Sequence, residues 1–322
     1  MTDAAVRLEN VSKTFGSFEA VKDLSFHIDK GEIYGFLGPN GAGKTSTLRM
    51  MLDIISPSNG ALSILGSASA TRVRRRIGYL PEERGLYKKM RAAQSIAYFA
   101  QLRGIEAREA KARAARLMEE FGLEEFSNSK NDALSKGMAQ KVQLLATIAH
   151  EPELLILDEP FSGLDPINQQ TLEDLIRRQR DAGKTILFST HVMQHAERLC
   201  DRFLIMSQGR ARFEGSLNEA RALFTAKLQI RSSASRDDLM AVGGIKTLDI
   251  VDGEETGKAD GAYEYELELD SGEDPQVFLA RAVERGIPIL RFEKASATLH
   301  DIFVSLAGDS ATDKDAVEGD GS

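Results

Sequence analysis

At 322 residues, 42% of them hydrophobic, the chain has enough sequence for two domains and a sizeable core. Its net charge of −8 argues against non-specific nucleic-acid binding, which depends on neutralising phosphates with Lys and Arg, so the basic run at 72–76 reads as solvated surface. A single cysteine, Cys200, excludes an intramolecular disulfide and suits a reducing cytosol.

In chain order, residues 1–9 are of mixed polarity and lack the apolar run of a signal peptide. No stretch approaches the apolar length of a bilayer crossing, so any membrane role is expected from the water side. Residues 24–28 and 33–37 read as strands around the turn Lys30-Gly31, and 45–52 as a helix. Short apolar runs at 61–65 and 77–80 are strand-like, and those at 154–157 and 185–189 suit a buried parallel sheet. Such alternation predicts an α/β layer architecture. Between them, 95–102, 107–121 and 138–149 read as helices, a helical insertion spanning about 86–150. A second domain is expected over 226–307, in the order βαββαβ with a closing helix, and 308–322 is expected to be a disordered acidic tail.

The chemistry centres on Gly38-Pro39-Asn40-Gly41-Ala42-Gly43-Lys44-Thr45, which fits G-x-x-x-x-G-K-[ST] between an apolar strand and a helix. Glycines let successive backbone N–H groups point into one concavity, and the helix start adds its positive end. Lys44 is expected to reach terminal phosphates, Thr45 to present its hydroxyl to Mg²⁺, and Ser46 to complete the binding set. A second strand, 154–157, ends in Asp158-Glu159. Asp158 is placed to hold Mg²⁺ and Glu159 to orient or deprotonate an attacking water.

Further segments fall in the order of a known family, and over about residues 4–220 the chain resembles an ABC-type ATPase cassette. Leu134-Ser135-Lys136-Gly137-Met138 stands at the family's L-S-G-G-Q signature, and Ser162-Gly163-Leu164-Asp165 at the loop after the catalytic Glu. His191 is similar to the switch histidine, and Phe15 to the aromatic that stacks on adenine. The resemblance implies a P-loop ABC ATPase fold over 1–225, with ATP and Mg²⁺ as ligands and Glu159, His191 and Lys44 as catalytic groups. It also implies a head-to-tail dimer in which Ser135 and Gly137 close the ATP of a second copy, and it places Asp165 in the nucleotide-binding set.

Two positions depart from the family pattern. Lys136 and Met138 replace a Gly and the Gln of the signature, and Glu82 stands in Tyr79-Leu80-Pro81-Glu82 where the family usually has Gln. A carboxylate also ligates Mg²⁺, so Glu82 is expected to face the metal. Both departures are similar to a branch of sodium-extrusion and drug-efflux exporters. The expected role is therefore the ATPase subunit of an exporter, peripheral on the inner face of the membrane, driving a separate permease as a homo- or heterodimer. A soluble ABC ATPase acting on ribosomes or DNA, or an importer subunit, are the alternatives. The coupling surface is expected near Glu82 to Met90.

Overall fold

A computed structural model describes residues 4–83, 85–223, 227–251, 261–270, 272–295 and 297–312. These divide into two compact units, one reaching Leu217 and the other covering Asn218–Ser305.

The first unit opens with a hairpin of β1 (Ala4–Phe15) and β2 (Phe18–Asp29), which closes at Phe15 opposite Phe18. β3 (Ile33–Leu37), α1 (Lys44–Met51) and β4 (Asn59–Ile64) follow. β4 pairs with β1, giving an antiparallel sheet in the order β2-β1-β4. α2 (Ala70–Val73) then leads to β5 (Ile77–Leu80).

Three helices come next: α3 (Ala92–Leu102), α4 (Ala107–Glu120) and α5 (Lys136–Ile148). Their buried residues recur at helical spacing, as with Ile96 and Ala100, Ala110 and Ala114, or Val142 and Leu145. Buried Asn131 ties the loop before α3 to this cluster, its amide donating to Tyr87 O at 2.9 Å and Ser95 Oγ at 2.7 Å.

The chain then alternates through β6 (Leu154–Asp158), α6 (Pro166–Asp181), β7 (Thr185–Thr190), α7 (Met193–Leu199), β8 (Arg202–Ser207) and β9 (Arg210–Gly215). The main sheet has the order β5-β6-β7-β3-β8-β9, parallel except for β9 at one edge. β3, β6 and β7 are buried along their whole length, which is why they read as unbroken apolar runs. One core joins the two sheets through Leu8, Phe26, Phe36, Leu48, Ile156 and Leu204. In such sheets ligands gather at the carboxyl ends of the strands, here Leu37, Asp158 and Thr190.

The second unit takes in α8 (Leu217–Ala222), β10 (Lys227–Ser232), α9 (Arg236–Ala241), β11 (Ile245–Ile250) and β12 (Tyr263–Leu269). It continues with α10 (Pro275–Glu284), β13 (Ile289–Ala295) and the first half of α11 (Leu299–Thr312), whose residues from Leu306 are grouped with the first unit. Its sheet is antiparallel in the order β11-β12-β10-β13, with Leu228, Ile230, Leu239, Leu267 and Phe278 in its core. A reciprocal Thr298–Asp301 cap starts α11. The helix runs through 308–312, residues expected to be disordered, because extending a nucleated helix is much easier than starting one. The remainder of the expected tail, 313–322, lies outside the described residues.

The end of α5 is fixed to edge strand β5 by His150, whose Nε2–H donates to Ile77 O at 3.1 Å. Burial pushes this imidazole's pKa from an ordinary 6.5 down to about 4. Between those values the unfolded chain binds the extra proton, so stability falls as pH drops through the window and is fully regained above it. Lowering pH from about 7 to about 5 should cost this fold on the order of 1–2 kcal/mol through His150. Urea midpoints at the two pH values check this; a His150→Gln variant should show the smaller drop.

Candidate functional site

The loop leaving β3 shows why its glycines are needed. Gly38, Gly41 and Gly43 have φ of 153°, 83° and 105°. A Cβ on Gly43 would lie 2.6 Å from Ala20 O, and one on Gly38 2.3 Å from Met206 O. Backbone dihedral and close approach therefore exclude a side chain at both positions. α1 begins at Lys44 with no side-chain cap and no acid in its first turn, an arrangement suited to an external anion at the helix start.

Lys44 is buried and folds back over the loop. Its Nζ donates to Gly38 O at 2.6 Å and Pro39 O at 3.2 Å, and lies 3.8 Å from Glu159 Oε1. Burial lowers its pKa, against the opposing pull of Glu159, Asp158 and Glu82.

The expected residues Pro39, Asn40, Gly41, Ala42, Gly43, Lys44, Thr45 and Ser46 line one cavity of about 210 Å³, together with Glu82, Asp158 and Glu159. The aromatic on its wall is Phe18. Phe15, its cross-strand neighbour, stands beside the wall, with Lys13 Nζ 5.0 Å above its ring.

At the end of β6 two carboxylates follow one another and are handled differently. Asp158 Oδ1 accepts from Ser189 Oγ at 2.5 Å, and burial raises its pKa against the pull of Ser189, Lys44 and Arg49. Glu159 turns away through a left-handed backbone, φ 47°, uncommon for a side-chain-bearing residue. Its N–H lies 3.1 Å from Ser189 Oγ and 3.2 Å from Ser189 O. Its Oε2 faces His191 Nδ1 at 3.0 Å, whereas Oε1 is buried without a hydrogen-bond partner. A buried carboxylate oxygen that accepts no hydrogen bond is costly, and among the described residues only the Lys44 ammonium 3.8 Å away offsets it here.

These residues fit Mg²⁺ and a polyphosphate. Hard oxygen donors from Thr45, Asp158 and Glu82 share the cavity with Lys44 and the helix start. Among the described residues no group of three or more His, Cys, Asp or Glu forms a metal cage. Mg²⁺ is usually held by one or two carboxylates plus substrate phosphates, a donor set that Thr45, Asp158 and Glu82 could supply in part.

Ser135, Gly137 and Asp165 lie off this cavity and gather elsewhere. Ser135 Oγ caps α5 by accepting from Met138 N at 3.3 Å, and Asp165 caps α6 by accepting from Asn168 N at 2.9 Å. Asn168 Nδ2 also donates to Asp165 Oδ2 at 2.6 Å and sits where a Cβ on Gly137 would come within 2.8 Å. The expected signature residues and Asp165 thus form a second cluster, at the meeting of α5 and α6. Sequence reasoning missed Phe18 and Ser189; the signal for Ser189 is a polar pair, Ser189-Thr190, ending a strand that is otherwise apolar after Thr185.

Comparisons with known proteins agree with this geometry. Residues 21–162 match the family model described as ABC transporter. Residues 215–307 match one described as ATP-binding protein DrrA1-3-like, C-terminal domain. The chain is 39% identical over 302 residues to the uncharacterized ABC transporter ATP-binding protein YhaQ of Bacillus subtilis, covering 94% of this chain and 98% of that one. It is 33% identical over 320 residues to the Nod factor export ATP-binding protein I of Burkholderia orbicola, covering 96% and 98%. With the linearmycin resistance ATP-binding protein of Bacillus subtilis it shares 30% identity, covering 96% and 100%. A solved ATP-binding subunit of an ABC transporter superposes with TM-score 0.64 at 34% identity, covering 68% of this chain and 93% of that one. With identity sustained end to end and a phosphate loop facing paired strand-end carboxylates, this chain belongs to the family of ABC transporter ATP-binding proteins.

Proposed function

We propose that this chain is the ATP-hydrolysing subunit of a membrane exporter, working in pairs, homo- or heteromeric, on a separate membrane-spanning permease. The observation that carries the hydrolytic half is Oε1 of Glu159, which accepts no hydrogen bond and sits 3.8 Å from Lys44 Nζ beside the phosphate loop while His191 occupies the other oxygen. An acceptor so placed is suited to a water attacking the terminal phosphate.

In this reading the loop N–H groups of 38–46 bind the phosphates and Lys44 exchanges its loop carbonyls for phosphate oxygens. Mg²⁺ held by Thr45 and Asp158, with Glu82 nearby, would neutralise charge on the β- and γ-phosphates. Ser189 keeps Asp158 turned toward the cavity, and His191 orients Glu159. Phe18 or Phe15 supplies the surface for adenine. Ser135, Gly137 and Asp165, clustered away from their own chain's cavity, close over the ATP of a second copy.

Export is supported by the names of two relatives similar along almost their whole length, which concern Nod factor export and linearmycin resistance. Among the described residues no helix is long and apolar enough to cross a membrane, so the conduit belongs to a partner. Docking near Glu82 to Met90 is supported by a cleft of about 240 Å³ beside it, lined by Tyr79, Pro81, Phe99, Arg103 and Gln143, and by exposed Tyr87. The protein would therefore sit on the inner face of the membrane.

Glu159→Gln should lower the steady-state ATPase rate by about 10²-fold or more while ATP binding persists. Parallel phosphate-release and equilibrium-binding measurements check this; an unchanged rate would remove Glu159 from the role. Glu82→Gln should shift the Mg²⁺ concentration giving half-maximal ATPase, and identical Mg²⁺ titrations would remove Glu82 from the metal. Lys88→Glu combined with Lys89→Glu should weaken co-purification of the permease from detergent without altering nucleotide affinity. A complex of undiminished yield would move the docking surface elsewhere.

A further inference from the structure

α6 and α7 bury a charged cluster that the proposed chemistry does not use. Glu173 and His195 are 2% and 3% exposed. Glu173 Oε1 accepts from Arg198 Nη2 at 2.7 Å and lies 3.2 Å from His195 Nδ1, which is also 3.2 Å from Arg198 Nη2. Burying a carboxylate and an imidazole is unfavourable unless something holds them together, and here each holds the other's orientation.

The imidazole so oriented lies flat on the ring of Phe161, with centroids 4.0 Å apart and planes 10° from parallel. Phe161 is itself buried, and its ring also stands edge-on to Phe188 of β7 at 5.8 Å. Phe188 precedes Ser189, the residue that binds both Asp158 and the N–H of Glu159. Phe161 follows Glu159 by two residues in a tight loop, where Ser162 N donates to Glu159 O at 3.1 Å and Gln140 Nε2 to Pro160 O at 3.3 Å. Ser189 therefore anchors Glu159 from before, and the Phe161 ring anchors it from behind.

We propose that His195 is a positioning residue for hydrolysis: held by Glu173 and Arg198, its ring clamps Phe161 and so fixes the left-handed backbone that aims Glu159. The inference rests on the reading of Glu159 as the group that handles the attacking water. An aliphatic side chain could fill the same volume, but it would not define the plane of the Phe161 ring. A misplacement of about 1 Å at a reacting group can cost on the order of 10²-fold in rate, so a modest loss of definition at Phe161 reaches the chemistry.

The test uses the purified full chain with His195→Leu, which removes the ring, and His195→Phe, which keeps it. His195→Leu should lower kcat about tenfold or more while the ATP dissociation constant stays within about twofold. His195→Phe should restore most of kcat, a rescue that follows ring shape rather than melting temperature. In a Glu159→Gln background His195→Leu should cause no further loss, since both changes act through one carboxylate. An unchanged kcat in His195→Leu, a Phe variant as slow as the Leu variant, or losses that multiply with Glu159→Gln would each overturn the proposal. If His195→Leu does not fold, Phe161→Leu makes the same test from the other side of the stack. A wild-type chain without ATPase activity would instead overturn both this inference and the function beneath it.

Discussion

Ser189 stands between two adjacent carboxylates, and the site depends on what it does there. Asp158 and Glu159 follow one another at the end of a buried strand, and both side chains are themselves buried. The β6–β7 register places Ser189 opposite Asp158, so one hydroxyl reaches the Asp158 carboxylate and the N–H of Glu159 together. Asp158 is thereby held on one side while Glu159 swings through φ 47° to meet His191. The buried ammonium of Lys44 moderates the remaining charge. Parallel pairing of two apolar strands, a matter of core packing, thus sets the distance between groups proposed to hold metal and water.

Much of this was legible in the sequence, for identifiable reasons. The phosphate loop could be read because backbone geometry and close approach both demand glycine at 38 and 43. β3, β6 and β7 could be read because burial on both faces leaves little room for polar residues. β1 escaped notice because only one face is buried and the other carries Arg7, Glu9 and Lys13, diluting the apolar signal. β2 begins at Phe18, earlier than the expected 24–28, because its first half is polar and irregular, with Asp23 at φ 48°. Phe18 did not stand out in the sequence because motif alignment points to Phe15, and only the tight hairpin end, where the two aromatics face each other across the turn, shows that Phe18 also borders the cavity.

The second unit is organised differently. One face of its antiparallel sheet packs Leu228, Ile230, Tyr265 and Leu267 into a core, and the strands alternate accordingly. The other face carries charges in complementary rows, with Lys227 to Glu266 at 2.5 Å, Lys246 to Glu268 at 2.9 Å and Arg231 to Glu264 at 3.6 Å. Partly exposed pairs of this kind add little stability. Their regular opposition across strands instead favours one register over a slipped one, since a shift by one residue would send these charges toward the core.

The folded-back Lys44 has a consequence for the cycle as a whole. With its ammonium on the carbonyls of Gly38 and Pro39, the loop carries an internal stand-in for the anion it is shaped to receive. On the proposed reading, nucleotide arrival would have this one side chain exchange carbonyl acceptors for phosphate oxygens. The proposed cycle would then ask the loop for the movement of one ammonium group.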